Sequence, residues 1–166
     1  MKEEEAKLWQ IVDIKGYAAF SSSSFLTLKI IARKFEKIEH YMKNWERILR
    51  HWAGINDSCK KIIGRFQKMD LSLMDDRFPV EVLRELKEDV MPKMGQEYDE
   101  LDSMLNKYAS DSPPEERDII QKIDECKETV ERMLALGEQI RNDKRYRQYR
   151  NATPELERIH YSNPVD

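Results

Sequence analysis

The chain has 166 residues, 40% apolar and 37% charged, with a formal net charge of −3 at pH 7 and only five glycines and six prolines. That length suits one domain able to bury a core without metal or disulfide support, and the composition argues against wholesale disorder and for long amphipathic helices with short connections. An acidic balance is unusual for a nucleic-acid binder, and no run approaches the ~20 continuous apolar residues of a membrane span.

From the N-terminus, Leu8, Ile11, Val12 and Tyr17 predict a short amphipathic helix over about residues 3–20. The first five residues, with Glu3, Glu4 and Glu5 among them, are acidic where a signal peptide would be basic, so a cytoplasmic location is expected. Four serines at 21–24 interrupt the pattern, and Ser23 or Ser24 suits the N-cap of the next helix.

That helix opens near Phe25. It carries eight large apolar residues spaced three and four apart in alternation: Leu28, Ile31, Phe35, Ile38, Met42, Trp45, Leu49 and Trp52. Such a seam is one face of a helix and matches the a and d positions of a coiled-coil heptad. Run on to Ala53 it would be ~43 Å long. The phase slips at Gly54 and resumes as Ile55, Cys59, Ile62, Phe66, Met69 and Leu73. A glycine inside a helix costs only ~1 kcal/mol, so one continuous or kinked spine helix to about Met69 is expected. The alternative is a break after Gly54, with Asn56 or Asp57 capping a new helix.

Residues 70–78 read as a loop with Pro79 at or near the first turn of a third helix. Its apolar face runs through Leu83, Leu86, Val90, Met94, Tyr98, Leu101, Leu105 and Tyr108, and Pro92 predicts a kink or break over 88–92. Ser112, Pro113, Pro114 and Glu115 combine capping-box spacing with proline at the first helical position. The fourth helix then buries Ile119, Ile123, Cys126, Val130, Met133 and Ile140, with a gap at Gly137 for a bulky neighbour such as a Trp, and extends to about Tyr149. Thr153, Pro154 and Glu155 open a short terminal helix. The expected fold is an all-α antiparallel bundle of about four principal helices around one long spine. Residues 1–150 form the bundle domain, and 151–166 a terminal helix and tail.

Charge is segregated along the chain. Residues 25–68 hold eleven Lys or Arg against four acids, and residues 70–140 hold twenty acids against nine bases. A basic helix packing beside acidic ones accounts for this; a basic face offered to a partner is the functional alternative. The segment 141–150 concentrates Arg141, Lys144, Arg145, Arg147 and Arg150 with Tyr146 and Tyr149, and is the candidate binding surface. Arginine with tyrosine can grip phosphate and stack on bases. The same residues can instead complement a helix C-terminus and pack its last turn.

Chemistry-bearing patterns are sparse. Cys59 and Cys126 lie on apolar helix faces, without the spacing of a metal site, and read as buried hydrophobes. A di-iron carboxylate bundle needs two Glu-x-x-His motifs, and only Glu157 with His160 has that spacing. No phosphate loop or nucleophile elbow is present. Arg33 and His40 together resemble the Arg-x4–6-His pair of HEPN-type helical ribonucleases. That resemblance implies Arg33 steadying phosphate charge and His40 serving as acid and base. It extends to those two residues. His51 falls beside the seam. The expectation is therefore a non-enzymatic interaction, scaffold or adaptor module without cofactor or metal, binding another protein and self-associating. A nucleic-acid- or phosphate-binding helical module is the alternative.

Overall fold

The apolar alternation that begins at Leu28 belongs to two helices folded back on each other. The computed structural model describes residues 22–40, 44–107 and 114–152. The predicted helix at 3–20, Met42, Tyr108, the Ser112–Pro113 cap and the segment from 153 onward lie outside the described residues, as does the side chain of Trp45. Helix α1 spans Ser22–His40 and α2 spans Trp45–Gln67. Asn44 between them is extended, at φ −121° and ψ 91°, and its side chain accepts the Arg47 backbone N–H as the N-cap of α2. The single spine is thus corrected to a helical hairpin. Two helices packed on one core share an apolar phase, so the seam alone does not distinguish a hairpin from a rod. Helix α2 does run through Gly54, where an added Cβ would meet only Lys34 Nζ at 3.6 Å. Asn56 and Asp57 lie inside it and cap nothing. Ser23 and Ser24 likewise lie inside α1, which opens at Ser22.

Downstream, Met69 is buried and Asp70 accepts both the backbone N–H and the hydroxyl of Ser72, opening a 3-10 turn at Leu71–Leu73. Leu73, the last residue of the predicted seam, is 45% exposed because the chain has already left the helix. Pro79 precedes α3 (Val80–Glu85), as its preference for a helix start requires. A π-helical turn at Leu86–Val90 then leads into α4 (Met91–Asn106). Pro92 accounts for that turn. It has no N–H to offer Glu88, and its ring crowds that carbonyl in a regular helix. The wider turn, in which the Met91 N–H reaches Leu86 O, absorbs the misfit while Leu86, Val90, Met91 and Met94 all stay buried. The predicted break is therefore a bulge in a continuing rod.

Helix α5 spans Glu116–Asn142. It begins later than the capping-box reading expects: Glu115 is extended at ψ 142° and supplies no side-chain cap. The helix also stops short of Tyr149. Asp143 is extended at ψ 136°, and a separate helix α6 follows at Lys144–Ala152.

Helices α1, α2, α4 and α5 form a closed ring in which each packs on two neighbours. Lys60 pairs with Asp99 while Trp52 Nε1 donates to Asp102, so α2 and α4 are antiparallel. Glu97 meets Thr129 and Glu100 meets Lys122, so α4 and α5 are too. Phe25 near the start of α1 lies on Gly137 near the end of α5. The result is an up-down-up-down, all-α bundle. Its centre is aromatic: Phe35, Trp52 and Tyr98 pack with ring centroids 5.7–6.4 Å apart. Each such buried ring contributes on the order of 1.5–3 kcal/mol.

Candidate interaction surface

Helical spacing sorts α1 into two faces. Leu28, Ile31, Phe35 and Ile38 are buried, and Leu26, Ile30, Arg33 and Lys37 recur four, three and four apart on the opposite side. Leu26 and Ile30 are 55% and 42% exposed. Large apolar residues at that spacing on an outer face are unusual in a helix whose inner face is already complete. Lys29 is exposed beside them, and the stripe itself contains no acid.

Phe25 joins this face to the far end of the chain. Its ring fills the gap at Gly137, where an added Cβ would lie 3.3 Å from Cε2. A phenylalanine thus occupies the space for which a tryptophan was the expected filler. Lys29 Nζ is 4.9 Å and the Arg141 guanidinium 5.6 Å from the ring centroid, within cation–π range. The two basic regions read separately along the sequence meet here, through Lys29 and Arg141.

The rest of the 141–150 segment divides. Arg145 is committed inward: Nε and Nη2 bond the two Asp143 carboxylate oxygens, Nη2 also reaches Glu81 Oε1 at 2.7 Å, and Nη1 donates to Phe78 O. The Arg145 guanidinium holds the Glu81 and Asp143 carboxyls below their ordinary values. Tyr146 and Tyr149 are buried, packed against each other, with Tyr149 also against Phe78. Lys144 and Arg147 are exposed and Arg150 is half-buried. Five cations therefore do not form one patch. One staples the helix and one grips Phe25. The burial of Tyr146 and Tyr149 could be anticipated from their spacing of three on a short helix.

Arg33 and His40 both lie exposed on the outer side of α1, about two turns apart. His51 is half-buried on α2. Cys59 and Cys126 are free, buried thiols on either side of Tyr98. Burial pushes the Cys59 thiol up to about 12 and raises that of Cys126. Such groups are inert thiols at neutral pH. Among the described residues no three His, Cys, Asp or Glu side chains are grouped to hold a metal. A polar groove of about 250 Å³ lies beside the π turn, lined by Asp89, Val90, Lys93, Glu128, Thr129 and Arg132. Its cations are already engaged, Arg132 with Glu85 and Lys93 with Glu97.

No family profile, curated protein or solved structure matches the chain. Among the described residues no helix is long and apolar enough to cross a membrane.

Proposed function

We propose that this chain is a non-enzymatic interaction or scaffold module that binds another protein through the outer face of α1. One observation carries the reading: Leu26 and Ile30 are exposed in register with Arg33 and Lys37, on a helix whose opposite face already fills the core. An apolar-and-basic stripe of this kind fits an amphipathic helix of acidic character. The nucleic-acid reading has less support, since Tyr146 and Tyr149 are buried away from stacking and Arg145 is bound to carboxylates.

The test is comparative capture from the native source with wild-type protein and with Leu26→Asp/Ile30→Asp. Both substituted positions face solvent, so the two proteins should melt alike. A protein partner held by wild type and lost from the variant supports the reading. Capture that ignores the substitutions, or that disappears on nuclease treatment, overturns it.

A further inference from the structure

The α1 stripe borders α2. Lys34, beside it, reaches over Gly54 of α2, where an added Cβ would lie 3.6 Å from Nζ. Arg50, one turn nearer the hairpin connection on α2, is exposed at the same end. The groove between the two helices is therefore polarised, apolar at Leu26 and Ile30 and cationic at Arg33, Lys34, Lys37 and Arg50. Neighbouring acids do not cancel that charge. Asp57 pairs with Lys61 at 3.4 Å. Glu36 falls three helical turns after Phe25, on the side of α1 that faces α5.

An occupant suited to such a groove carries apolar residues with acids beyond one end. The chain supplies that pattern immediately before α1. Glu4, Leu8 and Ile11 are spaced four and three apart on one face of the helix that the sequence predicts, with Glu3 and Glu5 beside Glu4. We infer that residues 3–15 of the chain close the α1–α2 groove as an antiparallel helix and compete there with the protein partner. The inference rests on the protein-binding reading above and adds regulation to it.

Register carries the fit. Helix α1 opens at Ser22, and a helix–helix connection ahead of it takes about two to six residues. Counting equal rises on either side of the connection, that range sets Ile11 at levels from Leu26 to Ile30 and Glu4 at levels from Arg33 to Lys37. Apolar meets apolar and acid meets base at both limits. The lysines of the segment are compatible with this. Lys7 follows Glu3 at the four-residue spacing of an in-helix ion pair. Lys15 comes level with residues 22–26, where α1 carries no charge. A tether this short holds the segment at roughly millimolar effective concentration, so a contact too weak to form between molecules suffices within one.

Zero-length carbodiimide coupling of the full chain tests the register. Dilute wild type should give links from Glu3, Glu4 or Glu5 to Lys34 or Lys37 within the monomer. Their absence, or links only between chains, overturns the inference. Hydrogen exchange of the full chain is the second readout. Amides of residues 7–15 should exchange at least about tenfold more slowly than in an open chain, and Leu26→Asp/Ile30→Asp should remove that protection while leaving α4 protected. Arg33→Glu/Lys37→Glu should weaken it severalfold, and adding Glu4→Lys/Glu5→Lys to that variant should restore it, which excludes misfolding as the cause. Protection that ignores every substitution places the segment elsewhere and overturns the docking. Capture is scored separately. Glu4→Lys/Glu5→Lys alone loosens the segment and should raise partner capture severalfold over wild type; unchanged capture overturns the competition. A closed groove whose opened form captures nothing removes only the protein-binding reading. A partner held through Leu26 and Ile30 while residues 7–15 are unprotected removes only the present inference.

Discussion

Thr129 has one hydroxyl proton and faces two acceptors, Glu97 Oε2 at 2.5 Å and the Glu125 carbonyl at 3.0 Å. An ionised Glu97 therefore competes with the helix backbone for a single donor, whereas a protonated one donates to Thr129 and frees the hydroxyl for Glu125. Burial, the dominant influence, pushes the Glu97 carboxyl above its ordinary value, against the Thr129 hydrogen bond and Lys93 at 3.8 Å, which favour the charged form. Lys122, Glu125 and the Cys126 thiol are its other titratable neighbours. An acid whose folded pKa is raised costs stability above that pKa and stops costing it below the unfolded value. Glu97→Gln should thus raise the melting temperature at pH 7, with the gain shrinking to nothing as pH falls below 4.5. A variant less stable than wild type at pH 7 would show that the carboxylate is held by favourable charge interactions instead. None of this was legible in the sequence, because Glu97 and Thr129 are ordinary helix residues until α4 and α5 are laid side by side. Tyr98, one position away, was legible: its four-residue spacing from Met94 set it in the core.

At the scale of elements, α6 shows how a helix of only nine residues is held. Asp143 caps it, accepting the Arg145 backbone N–H at 2.8 Å, and the same carboxylate takes the Arg145 side chain. Arg145 then crosses to Glu81 and Phe78 O, fastening α6 to the start of α3. An isolated helix of this length is unstable in water, so its order depends on that fastening and on Tyr146 and Tyr149. Arg145→Ala should cost about 1 kcal/mol, held down because the guanidinium is a third exposed. It should also speed hydrogen exchange over 144–152 while leaving α4 protected. The lowered Glu81 and Asp143 pKa values give a second readout. Their contribution is present above the ordinary values of 4.5 and 3.8 and is lost as pH falls through the depressed ones. Arg145→Ala should therefore blunt the loss of stability in acid. Uniform exchange across the molecule in this variant would contradict the local role. Helix existence and apolar faces were readable from spacing, as Leu83 through Leu105 illustrate. Boundaries set by one side chain were not. Asn44 stops a seam whose phase carries on past it, and Asp143 divides a run of good helix formers by capping the second half.

For the whole molecule, the segregated charge along the sequence becomes a packing rule. Basic α2 meets acidic α4 through Lys60 with Asp99, and Trp52 adds a hydrogen bond to Asp102. What that rule leaves outside is the apolar-basic stripe of α1. Inside, Tyr98 links opposite sides of the ring. Its hydroxyl lies beside Cys59 of α2 without meeting hydrogen-bond geometry, and Cys126 of α5 is also a neighbour. Two thiols on non-adjacent helices thus share one centre, and neither can meet solvent unless the ring opens. If the bundle is a single cooperative unit, an aromatic disulfide reagent should leave both thiols untouched under native conditions. With Cys59 pushed up to about 12, little thiolate exists near neutral pH even in brief openings that keep the site dry. In urea both should become reactive together, at the midpoint seen by circular dichroism, because each samples the same global opening. Earlier labelling of Cys126 would mean that α5 separates from the α1–α2 hairpin before the rest unfolds. The ring would then be two units in contact rather than one core. Labelling of either thiol in the native state, at a rate independent of urea, would remove it from the centre altogether.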